Sequence, residues 1–193
     1  MQRRILLLQG HPDGHTLHLG HGLATSYKEG ALAAGHAVRQ HDAATLDFPL
    51  LRSQEDFDNG TVPACLLPLQ ADMVWAEHLV IFFPLWAGDM PALLKGLLEQ
   101  LFRPAVTGTG VSHFGKQVLS GRSARVVVTM AMPALVYRWY FRAHSLKSLE
   151  RNLLGMVGIG PVHETLIGQT SGMSAKAAAL WLGRLKRLGT HAE

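Results

Sequence analysis

Cys65 is the only cysteine in the chain, so no internal disulfide can form and the fold must hold by packing alone, as in a reducing compartment. Long apolar runs are also missing. The longest, around Leu79 to Ala87 and Ile5 to Leu8, fall well short of the ~20 residues a helix needs to cross a bilayer. The opening MQRRILLLQGHPDG has only Ile5, Leu6, Leu7 and Leu8 as an apolar core, against the ~7–15 residues of a signal peptide. The expectation is a soluble cytoplasmic protein with no direct membrane insertion. Blocks of like charge are absent as well: the formal charge is +4 and the pI near 9.5, but lysine and arginine are spread along the chain. That balance helps to attract phosphorylated cofactors and argues against nucleic acid as a partner. There is no internal repeat or low-complexity tract.

What is present suffices for one good core. With 193 residues, 48% hydrophobic and 17% charged, residues 1–193 read as a single domain. Strand and helix patterns alternate about five times. Arg4 to Gln9, Ala37 to Asp42, His78 to Phe83, Arg125 to Met130 and Val162 to Ile167 read as strands. Between and after them the pattern predicts helices over Thr16 to about Ala34, stopped by Gly35, then Pro63 to Glu77, Pro91 to Arg103, about Leu135 to Val157, and Ser174 to Leu188. Ala43 to Thr61, with Pro49, Asp58, Asn59 and Gly60, reads as a surface excursion, and Pro104 to Gly121 as a long loop. In the third helix Leu93, Leu94, Leu97, Leu98, Leu101 and Phe102 form one stripe, opposite Lys95, Glu99 and Arg103. Strands followed by helices throughout predict an α/β fold, a three-layer doubly wound five-stranded parallel sheet.

Two strand ends attract chemistry. The fully apolar run from Leu79 to Phe83 stops at Pro84 and passes through Leu85, Trp86, Ala87, Gly88 and Asp89 into a helix. Such a loop lies outside the carboxyl end of its strand, where open α/β sheets place ligands. Trp86 offers a flat face and Gly88 a close backbone approach, which suits a planar cofactor; an ordinary strand-to-helix turn with a buried tryptophan is the other reading. The first strand ends in GHPDGHTLHLGHGL, with Thr16 placed to cap the following helix, whose N–H groups and dipole would take a phosphate; here a capped helix start without a ligand is the alternative. In the flavodoxin-like strand order 2-1-3-4-5 these two loops flank the switch point where a flavin mononucleotide binds.

Other motifs carry less. GVSHFGKQ, Gly110 to Gln117, ends in Gln117 where a phosphate-binding P-loop needs Ser or Thr, and GMVGIG, Gly155 to Gly160, breaks the dinucleotide fingerprint. His11, His15, His18 and His21 are dense enough to suggest a metal, with His15 and His18 sharing a helix face. No nearby carboxylate or cysteine completes a known ligand spacing, so no metal is assigned. The arginines and aromatics from Tyr137 to Arg151 read as an amphipathic helix.

A first strand ending in GHP, a threonine at the helix start, and FFPLWAGDMPALLKGLLEQLF together resemble the flavodoxin-like NAD(P)H dehydrogenase (quinone) family, which includes modulator-of-drug-activity and potassium-efflux ancillary oxidoreductases. The likeness spans Arg4 to about Gly168. It implies a homodimeric two-electron reductase, passing hydride from NAD(P)H through FMN to a quinone or similar small-molecule acceptor. FAD is the alternative flavin, and no extra adenine-binding segment is visible. The alternative function is a regulatory or ancillary subunit of a membrane transport system, with weak or no flavin chemistry. Carried over by position, phosphate and ribityl contacts fall on His11, Thr16, Leu17 and His18, where the family usually shows Ser-Phe-Asn at the last three. Ring contacts fall on Pro84, Leu85, Trp86, Ala87 and Gly88. The family's TTGG loop corresponds to Thr129, Met130, Ala131 and Met132, whose side chains would intrude on the ring edge. Tyr137 and His144 lie roughly where longer quinone reductases carry a tyrosine and histidine that relay charge, which would make them catalytic; packing or a dimer contact is the other reading.

Overall fold

The computed structural model describes residues 1–103 and 119–193, so the near P-loop GVSHFGKQ lies outside the described residues. Its strands are β1 (Arg4–Gln9), β2 (Ala37–Asp42), β3 (His78–Pro84), β4 (Ser123–Thr129) and β5 (Val162–Ile167). They form one sheet in the order β2-β1-β3-β4-β5, every pair parallel. Both the architecture and the strand order match the expectation from sequence.

Apolar alternation on β1, β3 and β4 feeds both faces. Ile5, Leu7, Val80, Phe82 and Val127 pack with Leu23, Tyr27 and Leu185 on one side. The helices there are α1 (Leu19–Ala33) and α7 (Ala175–His191). Leu6, Leu8, Ile81, Val126 and Val128 face the larger core on the other side, with Leu69 and Met73 of α3 (Leu67–Trp75) and Leu94, Leu97, Leu98 and Leu101 of α4 (Ala92–Phe102). Helices α1 and α7 cross at two glycines. A Cβ on Gly30 would lie 1.9 Å from the Lys186 carbonyl oxygen, and one on Gly189 would lie 2.1 Å from that of Tyr27. Gly35 ends α1 as the sequence suggests, with φ +82 and the His36 N–H donating back to the Ala31 carbonyl.

Some boundaries differ from the sequence pattern, each for a local reason. Strand β3 does not stop before Pro84 but includes it. The missing proline N–H would face the side where the chain has already left β1, since the Gly10 N–H takes the Phe82 carbonyl, and the next N–H, of Leu85, bonds Thr129 on β4 at 2.7 Å. The excursion after β2 contains a polar helix, α2 (Gln54–Asn59), capped by Ser53, whose Oγ accepts the Asp56 N–H at 3.0 Å. Arg103 holds it to the body through the Asp56 and Thr61 carbonyls. The predicted helix over residues 135–157 is broken into α5 (Ala134–Trp139), α6 (His144–Ser148) and a π-helical turn, Leu149–Leu154. The break falls at Arg142 and Ala143, both with positive φ. Among the described residues no helix is long and apolar enough to cross a membrane.

Candidate functional site

The carboxyl ends of β1 and β3 are adjacent, because Gln9 pairs with Phe82, and the two loops leaving them meet. The His11 and Trp86 ring centroids are 5.7 Å apart, edge to face. Gly10 permits this closeness: a Cβ there would stand 2.5 Å from a Leu94 methyl and 3.0 Å from the Phe82 oxygen.

In the first loop Asp13 organises the backbone. Its carboxylate accepts the His15 N–H at 2.8 Å and the Thr16 N–H at 3.2 Å, and its other oxygen lies 2.9 Å from His18 Nε2. The His18 contact first, then the two N–H groups, hold its pKa far below the usual carboxylate range. Thr16 therefore does not cap the helix. Residues 14–18 stay bent, α1 starts at Leu19, and its N-cap is His18, whose N–H donates to His21 Nδ1 at 3.1 Å. For the same reason His15 and His18 share no helix face. His18 instead stacks on His11 with centroids 4.0 Å apart, and His21 stands 5.3 Å from His11. Asp13 is a carboxylate among these histidines, in contact with His18. Even so, no group of three or more His, Cys, Asp or Glu among the described residues is placed to hold a metal. His11 is 7% exposed; burial is the main cause that lowers its pKa, and its Nδ1 accepts the Asp13 N–H at 3.1 Å, which leaves Nε2 uncommitted. Leu17 is almost fully exposed.

The second loop is a two-residue hairpin turn. Trp86 and Asp89 exchange N–H···O bonds of 2.8 and 2.9 Å, and the residues between them, Ala87 and Gly88, have φ of +48 and +85, as a type I′ turn requires. The N–H groups of Ala87 and Gly88 have no partner among the described residues, and the Trp86 indole is 49% exposed. Leu85 and Pro84 are half-buried beneath it.

The third loop departs from expectation in a useful direction. Met130 is buried in the larger core and Met132 packs against it, so those side chains do not crowd the rim. The Met130 N–H and carbonyl and the Met132 carbonyl are tied to Ile167, Thr170 and Gln169, whereas the N–H groups of Ala131 and Met132 have no partner among the described residues. Thr129 ends β4 and gives its carbonyl to Leu85.

Tyr137 and His144 differ in burial, and the Asp89 carboxylate of the second loop acts on Tyr137. The Tyr137 side chain is 1% exposed; its hydroxyl lies 2.6 Å from Ser145 Oγ and accepts the Leu146 N–H, and burial raises its pKa. His144 is exposed, with Nδ1 2.8 Å from the Phe141 carbonyl. Tyr137 packs, and its hydroxyl pins the start of α6.

Known proteins share this frame. A family model described as flavodoxin-like fold matches residues 3–186. An NAD(P)H:quinone oxidoreductase from Methanothermobacter marburgensis superposes with a TM-score of 0.81 at 21% identity, covering 100% of this chain and 97% of the other. An FMN-dependent NADH-azoreductase from Bacillus anthracis, solved with FMN, superposes with a TM-score of 0.69 at 12% identity over 97% and 98% of the two chains. In sequence, a ribosyldihydronicotinamide dehydrogenase-like protein from Penicillium crustosum is 24% identical over 156 residues, 66% of this chain but 57% of that relative's length. The chain belongs to the flavodoxin-like fold family.

Proposed function

We propose that this protein is a flavin-dependent oxidoreductase, taking two electrons from NAD(P)H and delivering them through FMN to a quinone or a similar small acceptor. The observation that carries the reading is the meeting of His11 and Trp86 at the switch point of the sheet, 5.7 Å apart. The names borne by the structural neighbours support it: a quinone oxidoreductase and an azoreductase holding FMN.

The ring end of the site fits a flavin. Trp86 presents a flat apolar face beside unpaired N–H groups at Ala87 and Gly88, with those of Ala131 and Met132 on the third loop. Bound there, FMN would supply the hydride chemistry. The chain's own part is to stack the ring along Pro84, Leu85 and Trp86 and to aim N–H donors at its polar edge, where they favour negative charge on the reduced form. The phosphate end fits less openly. His11 Nε2, the Thr16 hydroxyl, the Leu17 N–H and His18 are the groups for it, but the Asp13 carboxylate already holds the His15 and Thr16 N–H groups, His18 Nε2 and the Thr16 side chain. Tyr137 and His144 stay outside the chemical step in this reading.

A homodimer fits the outer surface. Leu135, Trp139 and Tyr140, 69%, 76% and 79% exposed, gather at and just beyond α5, more apolar surface than a monomer needs there. The test is a visible spectrum of the purified protein with added FMN, followed by NAD(P)H oxidation with a small quinone. Flavin bands and turnover are expected; a protein that stays empty with FMN and with FAD overturns the reading.

A further inference from the structure

The opposite end of the sheet holds a second concentration of polar groups that the redox site does not use. Register puts His78 opposite Ser123, Val80 opposite Arg125, and Arg125 opposite His163. All of them therefore share the face covered by α1 and α7, at the amino ends of their strands. His78 is 1% exposed, with Nδ1 2.8 Å from Ser123 Oγ, while its Nε2 is buried with no side-chain partner among the described residues, beside the Glu193 backbone, whose hydrogen bond to the ring partly offsets the effect of burial on its pKa. Arg125 is 7% exposed; one terminal nitrogen donates to Thr165 Oγ1 at 2.8 Å, and its Nε has no partner among the described residues. The Tyr27 hydroxyl, brought down by α1, is buried without one too.

Two orphaned atoms on one face, with a third that meets only the Glu193 backbone, are unusual in a protein interior, where buried polar groups are nearly always paired. The charge around them has one prevailing sign. Arg3 and Arg125 both act on His78 and on Tyr27, His163 acts on His78, and Arg184 acts on Arg125; the facing acid is Glu193, since Glu77 at the rim is paired with Arg4 at 3.3 Å. Arg3 uses one terminal nitrogen on the Ala192 carbonyl at 3.3 Å. A cleft of about 600 Å³ opens here, lined in part by Arg3, His78, Ser123, His163 and Glu193.

We propose that this cleft is an anion site, in which the oxygens of a small carboxylate- or phosphate-bearing molecule bind at His78 Nε2 under the positive charge of Arg3 and Arg125. Burial lowers the His78 pKa to about 4, so at neutral pH the ring is uncharged. With the Ser123 hydroxyl donating to Nδ1, Nε2 carries the hydrogen and points a donor at the anion. The site is independent of the flavin reading, since β3 separates it from Trp86 by about 20 Å of strand at ~3.3 Å per residue.

The experiment is an imidazole ¹⁵N titration of the full chain with inorganic phosphate and, separately, with acetate, using chloride as the ionic-strength control. Saturable shifts at His78 and His163 are expected, read separately from any shift of His11 at the other end of the sheet, and whichever anion saturates them identifies the source. Arg3→Ala and His78→Gln should each weaken binding about tenfold or more, and Glu193→Gln should tighten it by removing a competing charge. A linear drift that chloride reproduces overturns the proposal, and so does saturation that Arg3→Ala leaves unchanged. Arg3 lies outside the core, so that variant decides the matter even if His78→Gln fails to fold.

Discussion

Two glycines of α7 make opposite predictions from one helix. Gly183 is exposed, and a Cβ there meets nothing within 4 Å, so Gly183→Ala gains the helix propensity of alanine, about 1 kcal/mol. Gly189 gains the same propensity, but its new Cβ would stand 2.1 Å from the Tyr27 carbonyl oxygen and 3.0 Å from the Ala31 nitrogen. Ordinary contact begins near 3.4 Å, so α7 must lift off α1 by about 1.3 Å. The opposing atoms are backbone, and no rotamer change can absorb the clash. Overpacking costs about 1–3 kcal/mol where side chains can move, and the rigid case belongs at or above the top of that range. Net of propensity, Gly189→Ala should destabilise by about 2 kcal/mol. For a chain of this size that lowers the melting temperature by ~4–8 °C, against a rise of ~2–4 °C for Gly183→Ala. Thermal unfolding of the two variants beside the parent reads both. If Gly189→Ala melts at or above Gly183→Ala, the α1–α7 crossing described above is wrong.

The remaining predictions address the two sheet ends. Trp86→Ala removes a half-exposed ring, so it should change unfolding free energy by no more than about 0.5 kcal/mol while lowering FMN affinity severalfold; an equal loss of melting temperature with unchanged flavin dissociation counts against the ring site. Asp13→Asn removes the charge that rivals a phosphate at the His15 and Thr16 N–H groups, and should tighten FMN relative to riboflavin, measured by fluorescence titration of both flavins. His78 titrates near 4 in the folded chain and near 6.5 when unfolded, so the unfolded state binds the extra proton in between. Its stabilising contribution is therefore complete above about pH 6.5 and is lost as pH falls towards 4, on the order of 3 kcal/mol. Melting curves across that window should fall more steeply for the parent than for His78→Gln.

Legibility in the sequence followed the apolar pattern. β1, β2 and β5 are readable to the residue because Arg4 to Gln9, Ala37 to Asp42 and Val162 to Ile167 carry the strand signal within themselves. The meeting of the GHP loop with the Trp86 loop followed from strand order alone. Features set by polar side chains were harder to see. Helix α2 buries none of its residues, so no periodicity announces it, although Ser53 followed by Asp56 is a readable cap. The break at Arg142 and Ala143 has no glycine to mark it. Thr16 looked like a cap because Ser and Thr commonly serve as one, but Asp13 holds Thr16's own N–H in the bent segment, and the His18 N–H goes to His21 Nδ1 instead. The cluster at the amino ends left a signal that pattern reading passes over: a histidine opening an otherwise apolar strand at His78, and an arginine inside the valine-rich run at Arg125.

Asp13 also changes what docking at the first loop would involve. A nest of bare amides waiting for an anion is positive when empty, and it draws any phosphate in solution. Here a resident side chain already supplies the countercharge, so an arriving phosphate must displace it, and the tethered Asp13 carboxylate stays nearby as a like charge. Selectivity would rest with the flat group at the Trp86 end, which has no internal substitute.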